Sequence, residues 1–179
     1  SKMSAILDID PQNRIAKVQP GVRNLAITQA AQAYGLYYAP DPSSQIACSI
    51  GGNVAENAGG VHCLKYGLTV NNVLGARVVM ACGEIVELGG ALYDNPGPDL
   101  LALICGSEGM LGIVTEVTVA LLPEPETKTV LLAAFSQVVD AGSAVAAIIS
   151  AGIIPAGMEM MDKTAVQAAE AFAKAGYPL

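Results

Sequence analysis

Three short stretches gather residues that bring main chain, rather than side chain, to a ligand. "IGGNVAENAGG" (50–60) places four glycines and two asparagines in eleven positions, Lys65-Tyr66-Gly67 follows it, and "GSEGMLG" (106–112) has glycine at every third position. Each glycine inside a regular element costs about 0.5–1 kcal/mol relative to alanine, so the stretch 50–60 is expected to be neither helix nor central strand. A backbone without Cβ atoms can converge N–H groups on a ligand's oxygens or lie flat against a ring. Asn53 and Asn57 add amide donors and acceptors suited to a uracil-like or phosphate edge. A single cluster is explained by tight turns. Three clusters between residues 50 and 112, each flanked by apolar runs, predict one surface wrapped around a planar ligand. No G-x-G-x-x-G opens a helix after a strand and no G-x-x-x-x-G-K-[ST] is present, so the pattern is neither a Rossmann fingerprint nor a Walker loop.

Other candidates for chemistry are sparse. His62 is the single histidine, and Cys48, Cys63, Cys82 and Cys105 form no C-x-x-C pair, so no zinc pattern exists. Four unpaired thiols, without a charged n-region and apolar h-region ahead of them, read as reduced cysteines of a cytoplasmic protein. Glu108, between glycines, suits either ribose hydroxyls or the capping of backbone N–H groups, with capping favoured. "MEMM" (158–161) reads as core strand rather than a soft-metal site, and Asp8, Asp10, Asp94 and Asp99 as turn and cap residues. At 53% hydrophobic, 14% charged and a mean hydropathy of +0.48, the chain has ample material for a core. A net charge of −7, with nine scattered basic residues, argues against a nucleic-acid surface. The most apolar stretch, 144–158, is broken by Gly152 and Pro155 and falls short of the roughly 20 residues of a membrane span.

The elements that must carry these residues follow from turn chemistry and periodicity. Residues 5–21 predict a hairpin around Asp10-Pro11-Gln12-Asn13, and 24–35 a helix with Asn24 as N-cap and Gly35 as its stop. Residues 36–49 predict extended loop, 71–90 a hairpin turning at Cys82-Gly83, 99–106 a short helix and 112–125 a strand ended by two prolines. After the Pro123–Pro125 joint the texture becomes strand (129–136), helix (137–152), strand (155–162), helix (163–176), the opening of a second domain. A strand-like run almost at the start and a helical pattern just before the end predict a piece cut from a longer protein.

"YYAPDPSSQIACSIGGNVAENAGGVHCLKYG", followed by "GSEGMLGIVTEVTVALLP", closely resembles the flavin-binding region of FAD-linked oxidases with the vanillyl-alcohol-oxidase-type (PCMH-type) FAD-binding fold. Within that family the chain is most similar to the D subunit of bacterial glycolate oxidase, with D-lactate and D-2-hydroxyacid dehydrogenases near it. The resemblance implies an α+β fold, with residues 1–123 as a FAD-binding subdomain lacking its N-terminal diphosphate loop and residues 128–179 as the start of a substrate cap. It implies Pro40, Asp41, Cys48 and Ser49 along the FAD diphosphate and ribityl chain. Gly51, Gly52, Asn53, Asn57, Ala58, Gly59 and Gly60 would line the cofactor, followed by Tyr66 and Gly67. Glu108, Gly109, Gly112, Ile113 and Val114 would meet the adenine end and flavin edge. Nothing around His62 or Cys63 selects either as a covalent flavin tether. The implied activity is oxidation of a small 2-hydroxy acid, most of all glycolate to glyoxylate, with electrons leaving to an acceptor other than NAD. The implied partners are further oxidase subunits, including an iron–sulfur subunit, through which the protein would sit at the inner face of the membrane. Catalytic residues match no position here, no metal ligand is expected, and this piece alone is expected to hold FAD weakly or not at all. A D-lactate or D-2-hydroxyglutarate dehydrogenase, or a non-catalytic binding module on the same scaffold, would share these motifs.

Overall fold

The computed structural model describes residues 2–93 and 96–178, so Asp94, expected in a turn, lies outside the described residues. The opening hairpin forms as expected: β1 (Ile6–Asp10) and β2 (Ile15–Val18) pair antiparallel. Asp10 Oδ1 closes the turn by accepting from the backbone N–H of Gln12 and of Asn13, each at 2.9 Å. Asp8 is a correction, since it lies within β1 opposite Lys17 rather than in a turn. Helix α1 (Asn24–Ala31) follows, then a 3-10 turn (Gln32–Tyr34), Gly35 with φ of 67°, and β3 (Leu36–Tyr37). Arg23 is the N-cap, and Asn24 sits inside the first turn with its side chain buried, so it is not the cap expected.

The chain continues through α2 (Ile50–Glu56), α3 (Cys63–Tyr66), α4 (Thr69–Asn72), β4 (Val73–Met80) and β5 (Ile85–Gly89). Beyond these come α5 (Leu100–Ile104), β6 (Gly112–Ala120) and β7 (Leu122–Pro123). Gly83 turns the β4–β5 hairpin, and Asp99 caps α5 by accepting from Ala102 N at 2.9 Å, both as expected. The large sheet has the order β1-β2-β6-β4-β5 and is antiparallel at every pairing. Ala16, Val18, Ala76, Val78, Val117 and Val119 point to one face, which α1 and α2 cover with Ile27, Ile50 and Val54. Burying each larger aliphatic side chain contributes about 1.5–3 kcal/mol. On the opposite face Lys17, Glu116, Arg77 and Glu87 form a chain of ion pairs across four strands. A one-residue slip would exchange these two faces, so the charges and the valines specify the register together. The strand expected to run from 112 to 125 breaks at the buried Leu121, after which β7 pairs with β3 in a second, two-stranded sheet. The expected α+β class holds.

The glycine-rich stretch departs from expectation, because its first half is helix. Ile50, Asn53 and Val54 stand at i, i+3 and i+4 and are all buried, and Ser49 Oγ caps the start by accepting from Gly52 N at 3.3 Å. Packing of that inward face outweighs the propensity lost at two glycines. Gly51 has a local reason: a Cβ there would lie 2.6 Å from Pro20 Cβ and 3.0 Å from the Pro20 carbonyl oxygen. That same oxygen accepts from Gly51 N at 2.8 Å, which ties α2 to the chain leaving β2.

After Pro123 the two expected helices form as α6 (Val138–Ser150) and α7 (Lys163–Ala173), but the strands expected at 129–136 and 155–162 do not. A strand needs a partner for its backbone, and these segments pair with no edge of either sheet. Val130 and Leu131 are each 90% exposed. Met160 and Met161 are exposed rather than core, and Met158 and Met160 instead line a shallow apolar concavity with Leu64, Val145 and Ile149. The docking of α2 is testable by urea unfolding of the chain. Gly51→Ala should lower stability by about 1–3 kcal/mol through overpacking against Pro20. Gly52→Ala, whose Cβ would meet only Ser49 Oγ at 3.4 Å, should raise it by about 0.5–1 kcal/mol. Equal effects at both positions would show that α2 does not abut Pro20.

Candidate functional site

The site is built outward from a buried amide. Asn24 Nδ2 donates to the Pro40 carbonyl at 3.0 Å and to Asn53 Oδ1 at 3.1 Å, and Asn53 Nδ2 lies 3.4 Å from Cys48 Sγ. Asn24 and Asn53 are 1% and 3% exposed, so these bonds replace water that neither amide can reach. They join α1, the 40–49 segment and α2. The far end of α2 is tied equally well. Asn57 ends it with φ of 49°, and its Oδ1 accepts from Val70 N at 2.9 Å. Ala58 N donates to Asn53 O, while Ala58 O accepts from Thr69 N at 3.0 Å and Thr69 Oγ1 at 2.7 Å. The third glycine segment docks on the same helix end: Gly106 N donates to Val54 O at 2.8 Å and Glu108 N to Ala55 O at 2.9 Å.

The structure thus brings the three segments to one end of α2, but it spends several of the expected side chains internally. Asn53 and Asn57 are consumed by the bonds above, Cys48 pairs with Asn53, and Ser49 is a helix cap. Pro40 is buried, with its carbonyl on Asn24. Asp41 Oδ2 lies 2.6 Å from His62 Nδ1 and Asp41 Oδ1 accepts from His62 N. Gly60 packs so tightly over the Asp41 main chain that any Cβ would collide with it, and a Cβ on Gly59 would lie 2.7 Å from Leu68 Cδ2. Tyr66 meets the Tyr37 ring edge-on at 6.4 Å and Gly67 turns the chain with φ of 77°. Burial first, then the neighbouring Tyr66 hydroxyl and the charge of Asp41, push the Tyr37 phenol well above its usual range and keep it neutral. Glu108 is exposed, has φ of 54°, and its carboxylate makes no hydrogen bond or ion pair among the described residues, so it does not cap. Gly109 sits in the same turn, while Gly112, Ile113 and Val114 are the first residues of β6, with Ile113 exposed.

An FAD binding domain model matches residues 1–89, and a model of the FAD linked oxidases, C-terminal domain, matches residues 124–178. Glycolate oxidase subunit GlcD of Escherichia coli (strain K12) is 64% identical over 179 residues, covering 100% of this chain and 36% of that protein. The chain belongs to the FAD-linked oxidases. A D-lactate dehydrogenase of Anaerostipes hadrus is 39% identical over 180 residues, covering 99% of this chain and 38% of that protein. A solved alkyldihydroxyacetonephosphate synthase superposes with a TM-score of 0.72 at 26% identity, over 87% of this chain and 28% of that one. The chain of this FAD-linked oxidase therefore spans little more than a third of the curated relatives it matches.

FAD is the cofactor of that family's binding domain, and the main chain here fits such a group. The consecutive N–H groups of Gly59, Gly60 and Val61 have no hydrogen-bond partner among the described residues, in a partly exposed loop between buried anchors. Successive unpartnered N–H groups of this kind form a concavity that suits an anion. The Gly109 N–H, in the loop docked on the end of α2, is likewise unpartnered among the described residues. Sequence reasoning missed Asn24 as the organiser of the site, and gave His62 no partner. It also missed Thr69, fully buried and bonded to Ala58. Cys105 is a core thiol pushed up to about 11, by burial first and then by the charge of Asp99. Among the described residues no group of three or more His, Cys, Asp or Glu could hold a metal, and no helix is long and apolar enough to cross a membrane.

The amide network carries a clear expectation for denaturation. Asn24→Ala strands the Pro40 carbonyl in the interior and should cost about 1–3 kcal/mol, whereas Cys48→Ala, which removes only a weak sulfur contact, should cost less than about 1 kcal/mol.

Proposed function

We propose that the protein containing this chain is an FAD-dependent 2-hydroxyacid oxidoreductase that oxidises glycolate to glyoxylate. The observation that carries the reading is 64% identity to a glycolate oxidase subunit along the whole chain, with all three glycine segments inside the aligned length. Residues 1–123 would form part of the cofactor wall and 128–179 the beginning of a cap over the substrate. When bound, FAD supplies a ring that accepts a hydride equivalent from the substrate's α-carbon. The residues of this chain would hold and orient it: Gly59–Val61 and Gly109 offer main-chain donors, α2 and its amide network fix where those donors stand, and Tyr37 and Tyr66 furnish an aromatic edge. The groups that take the substrate proton and bind its carboxylate lie outside this chain. Electrons would pass to an acceptor other than NAD. The subunit name of the relative supports assembly with further oxidase subunits; an iron–sulfur subunit among them, and a place at the inner face of the membrane, belong to this proposal through the family resemblance alone.

The second reading is a D-lactate dehydrogenase, favoured by the 39% identity that a relative of that name keeps over 99% of the chain. The deciding experiment uses the full-length subunit reconstituted with FAD under anaerobic conditions. Glycolate should bleach the flavin absorbance, and in a panel of 2-hydroxy acids with a dye acceptor it should give the highest kcat/KM. Faster turnover of D-lactate would shift the assignment to that substrate. A full-length protein that stays colourless after refolding with FAD would leave only a binding module.

A further inference from the structure

We propose that Asp41 and His62 are a positioning pair that sets the Gly59–Val61 loop for the cofactor, so that Asp41 acts on FAD through His62 and not by touching it. The inference rests on the FAD reading above. Both oxygens of Asp41 are engaged by one residue: Oδ2 with the His62 ring at Nδ1, 2.6 Å away, and Oδ1 with the His62 backbone N–H at 3.4 Å. The two side chains are 21% and 43% exposed, so the bond is shielded on the Asp41 side while the far side of the imidazole faces outward. Directly before His62 come the three unpartnered N–H groups. Among the described residues, no other hydrogen bond ties residues 59–62 to any part of the chain outside 58–67. The loop is hydrogen-bonded at Ala58 by Thr69 and Asn53 and at its other end by Asp41, while Val61 packs closely against Gly157.

Gly60 completes the clamp. The Asp41 main chain lies directly beneath its Cα, in the space a side chain would fill, so the loop can descend far enough for His62 to reach the carboxylate. Asp41 Oδ2 accepting from Nδ1–H also selects one imidazole orientation, which leaves Nε2 pointing away from the clamp. The rings beside the pair are Tyr66, 6.5 Å from the imidazole, and Tyr37, edge-on to Tyr66 and within reach of the Asp41 charge, and Lys65 lies over the Tyr66 ring.

The test is a double-mutant cycle on FAD affinity of the full-length apoprotein, read by quenching of flavin fluorescence, with melting of each apo form recorded alongside. Asp41→Ala and His62→Ala should each weaken FAD by about tenfold, and the double variant should be no weaker than either single one. Two polar variants keep the test independent of any alanine variant that fails to fold. His62→Asn places an amide nitrogen where Nδ1 stood and should bind FAD within about threefold of the natural protein, whereas His62→Gln places it at Nε2 and should bind as weakly as His62→Ala. Additive losses in the double variant would overturn the proposal and return Asp41 to direct contact. So would natural affinity in His62→Ala, or a Gln variant that binds as well as the Asn variant. If the natural full-length protein takes up no FAD, the functional reading fails and the proposal with it; if it binds FAD and the variants match it, the proposal alone fails.

Discussion

A buried primary amide that loses its hydrogen bonds costs more than those bonds contribute when made, so its partners constrain everything attached to them. In this chain that amide is Asn24. It holds the Pro40 carbonyl with one contact and Asn53 with another, and Asn53 in turn engages Cys48. Three segments that are distant in sequence are thereby fixed at one end of α1, over the face of the sheet where Ile27, Ile50 and Val54 meet the valines of β4 and β6. The position of α2 follows from that packing and from Gly51 against Pro20. The positions of Asn57, Ala58 and the 106–109 turn follow from α2. The loop 59–61 is the end of the series, anchored at Ala58 by Asn53 and Thr69 and beyond it where Asp41 meets His62.

This ordering changes what the glycines are for. Gly51, Gly59 and Gly60 each lack a Cβ because another part of this same chain occupies the space: Pro20, Leu68 and the Asp41 main chain. Close approach to a ligand is then a consequence. Glycines let protein segments converge, and the convergence leaves the N–H groups of residues 59–61 without partners among the described residues. The polar side chains of the segment stabilise the scaffold, and the main chain does the offering.

The sequence was legible where a local rule decides the outcome. Asp10-Pro11-Gln12-Asn13 and Cys82-Gly83 are turns whose chemistry is contained in four residues, and Asp99 is a cap with its acceptor three residues from its donor. Propensity failed where burial overrode it: two glycines did not prevent a helix whose Ile50 and Val54 are fully buried. It failed again at 129–136 and 155–162, whose apolar runs have no strand beside them to pair with. Asn24 was found at the right helix start with the wrong role, because a cap and a buried bridge share a residue type and differ only in what lies 16 and 29 residues further on. The Asp41–His62 pair spans 21 residues with no periodicity to announce it.

Amide exchange measured on the millisecond scale in the full-length protein, with and without FAD, tests the central claim most directly. The account predicts that the N–H groups of Gly59, Gly60 and Val61 exchange rapidly in the apoprotein and slow by at least about tenfold when FAD binds. Amides at the Cys82-Gly83 hairpin tip should stay unchanged. Flavin bound at full occupancy with unaltered exchange at residues 59–61 would contradict it.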